Sequence, residues 1–392
     1  MDRADENLIP ADTEWLKDPA AQAVCAAVTE VGFKIYFVGG CVRNALLGAA
    51  ASDVDLATDA RPEEVIALVE KAGMRAVPTG IDHGTVTVVR DGAAFEVTTF
   101  RRDVETDGRR AVVAFSKDIA DDARRRDFTM NALYASPRGL VVDPLGGLPD
   151  LWARRVRFIE DAAARIREDY LRILRYFRFS AYFADLSGGF DHDTLASISE
   201  NLPGLETLSA ERVGQEIIKL MAAPDPSQAV AVMRAIGVLH IVLPGCDDRF
   251  LGPYVHLEST CEISPDWRGR FAVLGGDDMA DRLRLSKSDA RHLALLHQIG
   301  WMGPPLAEVA YRQGQGIAEQ VMLMRCAMMG EPPESGWLET IEMAAQAEFP
   351  VSARDLMPTY QGPALGARLE ELESKWIASG FALSREALIG TF

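Results

Sequence analysis

The sequence predicts an α+β N-terminal unit followed by an all-helical remainder. From about residue 20 to residue 150, short apolar runs rich in β-branched and aromatic residues alternate with helical patterns and turn signals. After Leu151 the β signal fades, and "EDAAARIREDYLRILRYFRFSAYF" (160–183) opens a run of helical patterns that continues to the C-terminus. No fixed-period repeat supports a solenoid.

Taken in order, "KIYFVGG" (34–40) reads as a strand entering a turn, and "CVRNALLG" (41–48) as a short helix closed by Gly48. "DVDLAT" (53–58) reads as a second strand with alternating faces. "RPEEVIALVEKAG" (61–73) carries proline near its start, acids in its first turn and glycine at its end, so it reads as an amphipathic helix. "GTVTVVRDGAAFEVTTF" (84–100) reads as a hairpin turning at Asp91-Gly92, which brings the sheet to four or more strands. Turn signals such as "NLPG" (201–204) and "APDPS" (223–227) break the remainder into helices. "LHIVLPG" (239–245) reads as a buried helix end.

The 392 residues exceed one average domain. The expected division is a head over 20–150, a helical neck over 151–221 and a helical body and tail over 222–392. The five cysteines are scattered, with no C-x-x-C pair and no histidine at zinc spacing, so reduced thiols are expected. Acids at the N-terminus replace the basic segment of a signal peptide, and no run of eighteen apolar residues occurs; the expectation is a cytoplasmic protein with no membrane partner. A net charge of −17 argues against nucleic acid at first, but the charge is partitioned. Between Arg124 and Arg178 lie twelve arginines, no lysine and seven acids, a balance of +5 that leaves −22 elsewhere.

In a strand, Asp53 and Asp55 face one way while Val54 and Leu56 face the core, so two carboxylates share one small patch. Such a patch repels itself unless a cation neutralises it, and oxygen ligands of this kind suit Mg2+. An isolated D-x-D pair is usually only a solvated strand end. Gly39-Gly40 changes that balance, because glycines between strand and helix let backbone N–H groups approach a phosphate at the positive end of a helix. Neither G-x-G-x-x-G nor G-x-x-x-x-G-K-[ST] is present, which argues against a Rossmann dehydrogenase and a P-loop ATPase. Arg43 stands ready for a triphosphate, or is a plain surface arginine. Glu96 on the second hairpin strand is a candidate third metal ligand, equally well an exposed strand glutamate. Together these features suit metal-assisted phosphoryl transfer.

"FVGGCVRNALLG" followed by "DVDLAT" resembles the nucleotidyltransferase signature of the class II CCA-adding enzyme and bacterial poly(A) polymerase family. "RRRDFTMNAL" (124–133), "DPLGGLPDL" (143–151), "EDYLRILRYFRF" (168–179) and "ERVGQEIIKLM" (211–221) resemble its further motifs in the same order, from Ile35 to Met221. One departure is Asn44, where the family usually has Asp. The resemblance implies a small polymerase-β-like nucleotidyltransferase sheet in the head, with neck, body and tail all helical. It further implies that Asp53 and Asp55 bind metal, that Gly39, Gly40, Arg43 and Arg126 hold the triphosphate, and that Asp127 orients the nucleotide. Asn131 caps or contacts the sugar, and Asp169 with Arg172 reads the Watson–Crick edge of CTP or ATP. "DPLGG" becomes a springy element between head and neck, and the last motif a helix-stabilising one.

Helix geometry fits this reading. Ile166, Tyr170, Ile173, Leu174 and Phe177 fall on one stripe, while Asp169, Arg172, Arg175 and Arg178 fan across the opposite face. An ordinary polar face of i, i+3 pairs would look similar, but arginine without lysine suits planar recognition of bases or phosphates. Arg175 and Arg178 are expected to touch phosphate or support the reading pair. The histidines are poor catalytic candidates, and no H-D pair marks a phosphohydrolase. The expected activity is transfer of CMP, CMP and AMP from CTP and ATP to the tRNA 3′ end, with pyrophosphate released and no obligatory protein partner. Alternatives are a poly(A) polymerase, a CC-only or A-only enzyme, or a non-catalytic RNA-binding relative; the acidic C-terminus disfavours poly(A) addition, which goes with basic tails.

Overall fold

The computed structural model describes residues 7–49, 53–107, 110–276 and 278–390. The chain divides into two compact units, Met1–Glu216 with Ala235–Ile241, and Ile217–Arg234 with Val242–Phe392. The strands, all in the first unit, are β1 (Ile35–Val38), β2 (Asp55–Thr58), β3 (Arg75–Gly80), β4 (Thr85–Arg90), β5 (Ala93–Thr99), β6 (Arg101–Asp107), β7 (Arg110–Phe115), β8 (Tyr134–Ala135) and β9 (Val141–Val142). Seven of them form a mixed sheet in the order β3-β4-β5-β2-β1-β8-β9, and β6 with β7 forms a separate ribbon.

β2 and β5 run parallel, and their neighbours pair antiparallel. The register sets Val38 opposite Asp55 and Asp55 opposite Glu96, so the end of β1, the start of β2 and the middle of β5 meet at one level of the sheet. Asp91 (φ 49°) and Gly92 (φ 84°) make the β4–β5 turn, the left-handed pair that a tight hairpin requires. The helix Pro62–Lys71 starts on its proline, and Glu64 accepts from the Arg61 N–H at 2.7 Å. Val38, Ala57, Phe100, Ala123, Ala132, Tyr134 and Ile159 form a buried cluster against the sheet.

Both sheet edges are modified. On β3, Pro78 removes a donor and the pairing with β4 shifts between Val77 and Gly80. Beside β9, the Ile9 N–H donates to the Gly139 carbonyl and the Val141 N–H to the Asn7 carbonyl, both at 2.9 Å.

Two local expectations are corrected. β2 begins at Asp55, so Asp53 lies just before the strand rather than in it. The pattern over 160–183 is not one helix but two, Ala162–Glu168 and Leu171–Phe183, with Asp169 extended between them (φ −156°, ψ 104°). Its carboxylate accepts from the Leu171 N–H at 3.1 Å, an alternative to continued helix that the apolar stripe does not reveal. Ile166, Ile173, Leu174 and Phe177 are buried, whereas Tyr170 at the break is only half-buried and packs on Gly204.

The second unit contains helices only among the described residues. There Arg270, 1% exposed, donates to Glu258 at 2.7 Å and to the carbonyls of Met221, Ala223 and Pro224. Buried partners of this kind satisfy carbonyls that a helix end leaves open. The five cysteines are free thiols. Among the described residues no helix is long and apolar enough to cross a membrane.

The "DPLGG" loop is held by hydrogen bonds of its own. Asp143 accepts from the N–H groups of Gly147 and Leu148, and a Cβ on Gly147 would lie 2.3 Å from the Thr129 carbonyl oxygen. Gly147→Ala should therefore cost roughly 2–3 kcal/mol through backbone displacement, read as a lower midpoint in urea unfolding.

Candidate active site

Gly39 makes the turn out of β1 with φ 75°, and a Cβ there would sit 3.3 Å from the Arg126 guanidinium. The left-handed φ favours glycine there, and a Cβ would push the Arg126 tip by a few tenths of an ångström. The helix Gly40–Leu46 follows, with Gly40 at its first position and Arg43 one turn in. Three groups of side chains assemble around this turn.

The first is acidic. Asp55 and Glu96 are register partners on parallel strands, and both are exposed. Partial burial of the Asp55 carboxyl and the charges of Glu96 and Asp53 push its pKa up to about 6, against the opposing pull of Arg126. Among the described residues no three His, Cys, Asp or Glu side chains close on a point as a metal cage. The donor set nevertheless fits a hard divalent cation of the kind bound by one or two carboxylates and completed by substrate phosphates.

The second group is a hydrogen-bonded chain of buried ions. Asp127, 6% exposed, accepts from the Phe128 N–H at 2.8 Å and the Asn131 amide at 2.9 Å. Its other oxygen takes both Nε and Nη2 of Arg175, at 2.8 and 2.6 Å. Burial alone would raise the Asp127 pKa, but Arg175 and these bonds hold it at about 2. Asn131 also accepts from Arg43, tying the glycine-turn helix to the same chain. Glu216, 5% exposed, receives Arg178 at 2.6 Å and approaches Arg175 at 3.6 Å. Three guanidiniums, those of Arg43, Arg175 and Arg178, lie 5.1, 5.3 and 4.5 Å from the Phe179 ring centroid.

The third group contains the expected base readers, which are joined by a backbone bond from the Arg172 N–H to the Asp169 carbonyl at 3.0 Å while their side chains bond other partners. Asp169 receives Arg212 at 2.6 Å. Arg172 donates to the Arg165 carbonyl at 2.8 Å, the Arg125 carbonyl at 3.1 Å and the Glu168 carboxylate. Arg126 donates to Asp122 at 3.2 Å and to the Tyr134 hydroxyl at 3.3 Å. Asp122 is fully buried and also takes Arg125.

Sequence reasoning missed Asp122, Arg212 and Glu216. The i, i+3 and i, i+4 spacing of Asp122 to Arg125 and Arg126 was the available signal for Asp122; the partners of Arg212 and Glu216 lie about forty residues away in sequence.

A glycine turn, clustered carboxylates on adjoining strands and an arginine-lined helix in one compact unit define the class as a nucleotidyltransferase. Residues 35–157 match the Poly A polymerase head domain model, and residues 189–250 match the model described as probable RNA and SrmB-binding site of polymerase A. The chain is 33% identical to the mitochondrial CCA tRNA nucleotidyltransferase 1 of Mus musculus, covering 91% of this chain and 86% of that protein. It is 32% identical to the CCA-adding enzyme of Geobacillus stearothermophilus, covering 93% of each. The crystal structure of the Bacillus stearothermophilus CCA-adding enzyme in complex with CTP superposes with a TM-score of 0.70 at 29% identity over 92% of each chain. The chain belongs to the CCA-adding tRNA nucleotidyltransferase family. Enzymes of this family are metal-dependent.

Two outcomes follow from these ionisations. Folding raises the proton affinity of Asp55, so its stabilising contribution is present below about pH 4, the unfolded value, and is lost as pH rises through about 6. Asp55→Asn should raise the melting temperature of metal-free protein at pH 8, with the gain vanishing by about pH 4 in calorimetric scans. Asp127→Asn, which leaves Arg175 without its closest carboxylate, should lower stability by roughly 3 kcal/mol at neutral pH in denaturant titration.

Proposed function

We propose that this chain adds CMP, CMP and AMP in turn from CTP and ATP to the 3′ end of tRNA, without a template, releasing pyrophosphate at each step. The observation that carries the reading is the meeting of Asp55, Glu96 and the Gly39 turn at one level of the sheet, beside Arg126. Asp53 and Asp55 would hold the metal, with Glu96 at its margin, and we take that metal to be Mg2+. Bound there, the ion supplies charge neutralisation for the triphosphate and an acidified 3′ hydroxyl.

The protein's own groups do the rest. The N–H groups at the start of the helix Gly40–Leu46 point toward an incoming phosphate, and Arg43 and Arg126 supply positive charge beside it. Asn131, itself held by Asp127, holds Arg43, while Asp122 and Tyr134 hold Arg126; Arg175 and Arg178 brace the Asp127 chain from the neck helix. Ionised Asp169 is an acceptor only, so it favours the exocyclic amine that C and A share and opposes the carbonyl of U and G. Each Asp169 oxygen retains a lone pair after bonding Leu171 and Arg212. Arg172 keeps two N–H donors, on Nε and Nη2, after bonding the Arg165 and Arg125 carbonyls and Glu168. We further assign the head to 20–150, the neck to 151–221, tRNA-binding body and tail to 222–392, and the working compartment to the cytoplasm.

Purified protein offered tRNA lacking its CCA end should incorporate CTP alone, and ATP only after CTP. Incorporation of ATP alone in long tracts would indicate a poly(A) polymerase. Asp53→Ala should abolish both incorporations, a loss of at least about 10³-fold, while tRNA binding in a filter assay stays near wild type.

A further inference from the structure

We propose that Asn44 sets the strength of the triphosphate site by orienting Arg43 without cancelling its charge, an inference that rests on reading Arg43 as a triphosphate ligand. Arg43 is 7% exposed. Its hydrogen-bond acceptors among the described residues are both carboxamide oxygens: Asn44 Oδ1 takes Nε at 3.1 Å and Nη2 at 2.9 Å, and Asn131 Oδ1 takes Nη1. A guanidinium carries five N–H donors, so two remain for a ligand. Its flat faces meet the rings of Phe183 at 4.0 Å and Phe179 at 5.1 Å.

The other two cations on Phe179 have direct carboxylate partners, Arg175 in Asp127 and Arg178 in Glu216. Among the described residues Arg43 is linked to Asp127 by hydrogen bonds through Asn131 rather than directly. Burial, with the like charges of Arg178 and Arg175, lowers its pKa to about 10 against the opposing charge of Asp127. A cation held by carboxamides rather than by a bonded carboxylate is suited to receive an anion.

Asn44 is the position where the resembled motif carries Asp. An aspartate there would place a carboxylate on the same Nε and Nη2 edge and form a charge-assisted fork with Arg43. That pair would compete with an incoming phosphate for the same guanidinium. Asparagine keeps the edge aligned and leaves the charge for the ligand. Asn44 thus acts through Arg43 as a positioning residue.

The test compares Asn44→Asp, Asn44→Ala and Arg43→Ala in the full chain. Steady-state incorporation into tRNA lacking CCA is measured with each nucleotide, and inorganic tripolyphosphate binding is measured by calorimetry. N44D should raise KM for CTP and ATP about tenfold with kcat within about twofold, and weaken tripolyphosphate by a similar factor. Its melting temperature should equal or exceed wild type, since it pairs a buried cation. N44A, which removes the acceptor but adds no charge, should raise KM less. The proposal is overturned if R43A raises both KM values while N44D leaves them unchanged, or if N44A matches N44D, which would assign the effect to orientation. If R43A leaves KM and tripolyphosphate binding unchanged, it is the assignment of Arg43 to the triphosphate that fails.

Discussion

The buried pair of Asp127 and Arg175 is the constraint on which the rest of this site depends. A carboxylate this deeply buried persists only if its charge is met and its lone pairs are filled. Here Arg175 meets the charge, while Asn131 and the Phe128 N–H fill the other oxygen. Because Asn131 also grips Arg43, and Glu216 steadies both Arg175 and Arg178, one chain of ions links the glycine turn, the 129–131 turn and the helix Leu171–Phe183. Arg43, Arg175 and Arg178 therefore do not swing independently.

The acidic group follows the opposite logic. Asp55 is left among like charges, with its proton affinity raised rather than lowered. The buried carboxylate Asp127 is thus matched by a bonded cation, whereas Asp55 sits beside Glu96 and Asp53 with the charge of Arg126 opposing them.

How much of this was legible in the sequence depended on range. The Gly39 turn, the Asp91-Gly92 hairpin and the helix from Pro62 rest on neighbours within four residues, and each reads directly from its own letters. Asp55 and Glu96 were legible as candidates, but their adjacency needed the parallel pairing of β2 with β5 across about forty residues of chain. Glu216 was illegible as a partner of Arg178 because 38 residues and a change of helix lie between them. The break at Asp169 was hidden for a different reason. The apolar stripe continues across it, and only the side chain's bond to the Leu171 N–H reveals that the helix stops and restarts.

The treatment of the sheet's two margins has a consequence for solubility. An open strand edge invites a second molecule to add its own strand, and stacked additions end in aggregates. Pro78 and the shifted pairing close one margin by removing a donor and spoiling the repeat, whereas at the other the described residues place the backbone of Asn7–Ile9 beside β9. The second margin is the weaker, since a covering segment can be displaced whereas a proline cannot be undone. Loss of that segment by proteolysis, or its displacement by a fusion partner, would turn β9 into a template for chain-to-chain pairing, with a precipitating protein as the visible result.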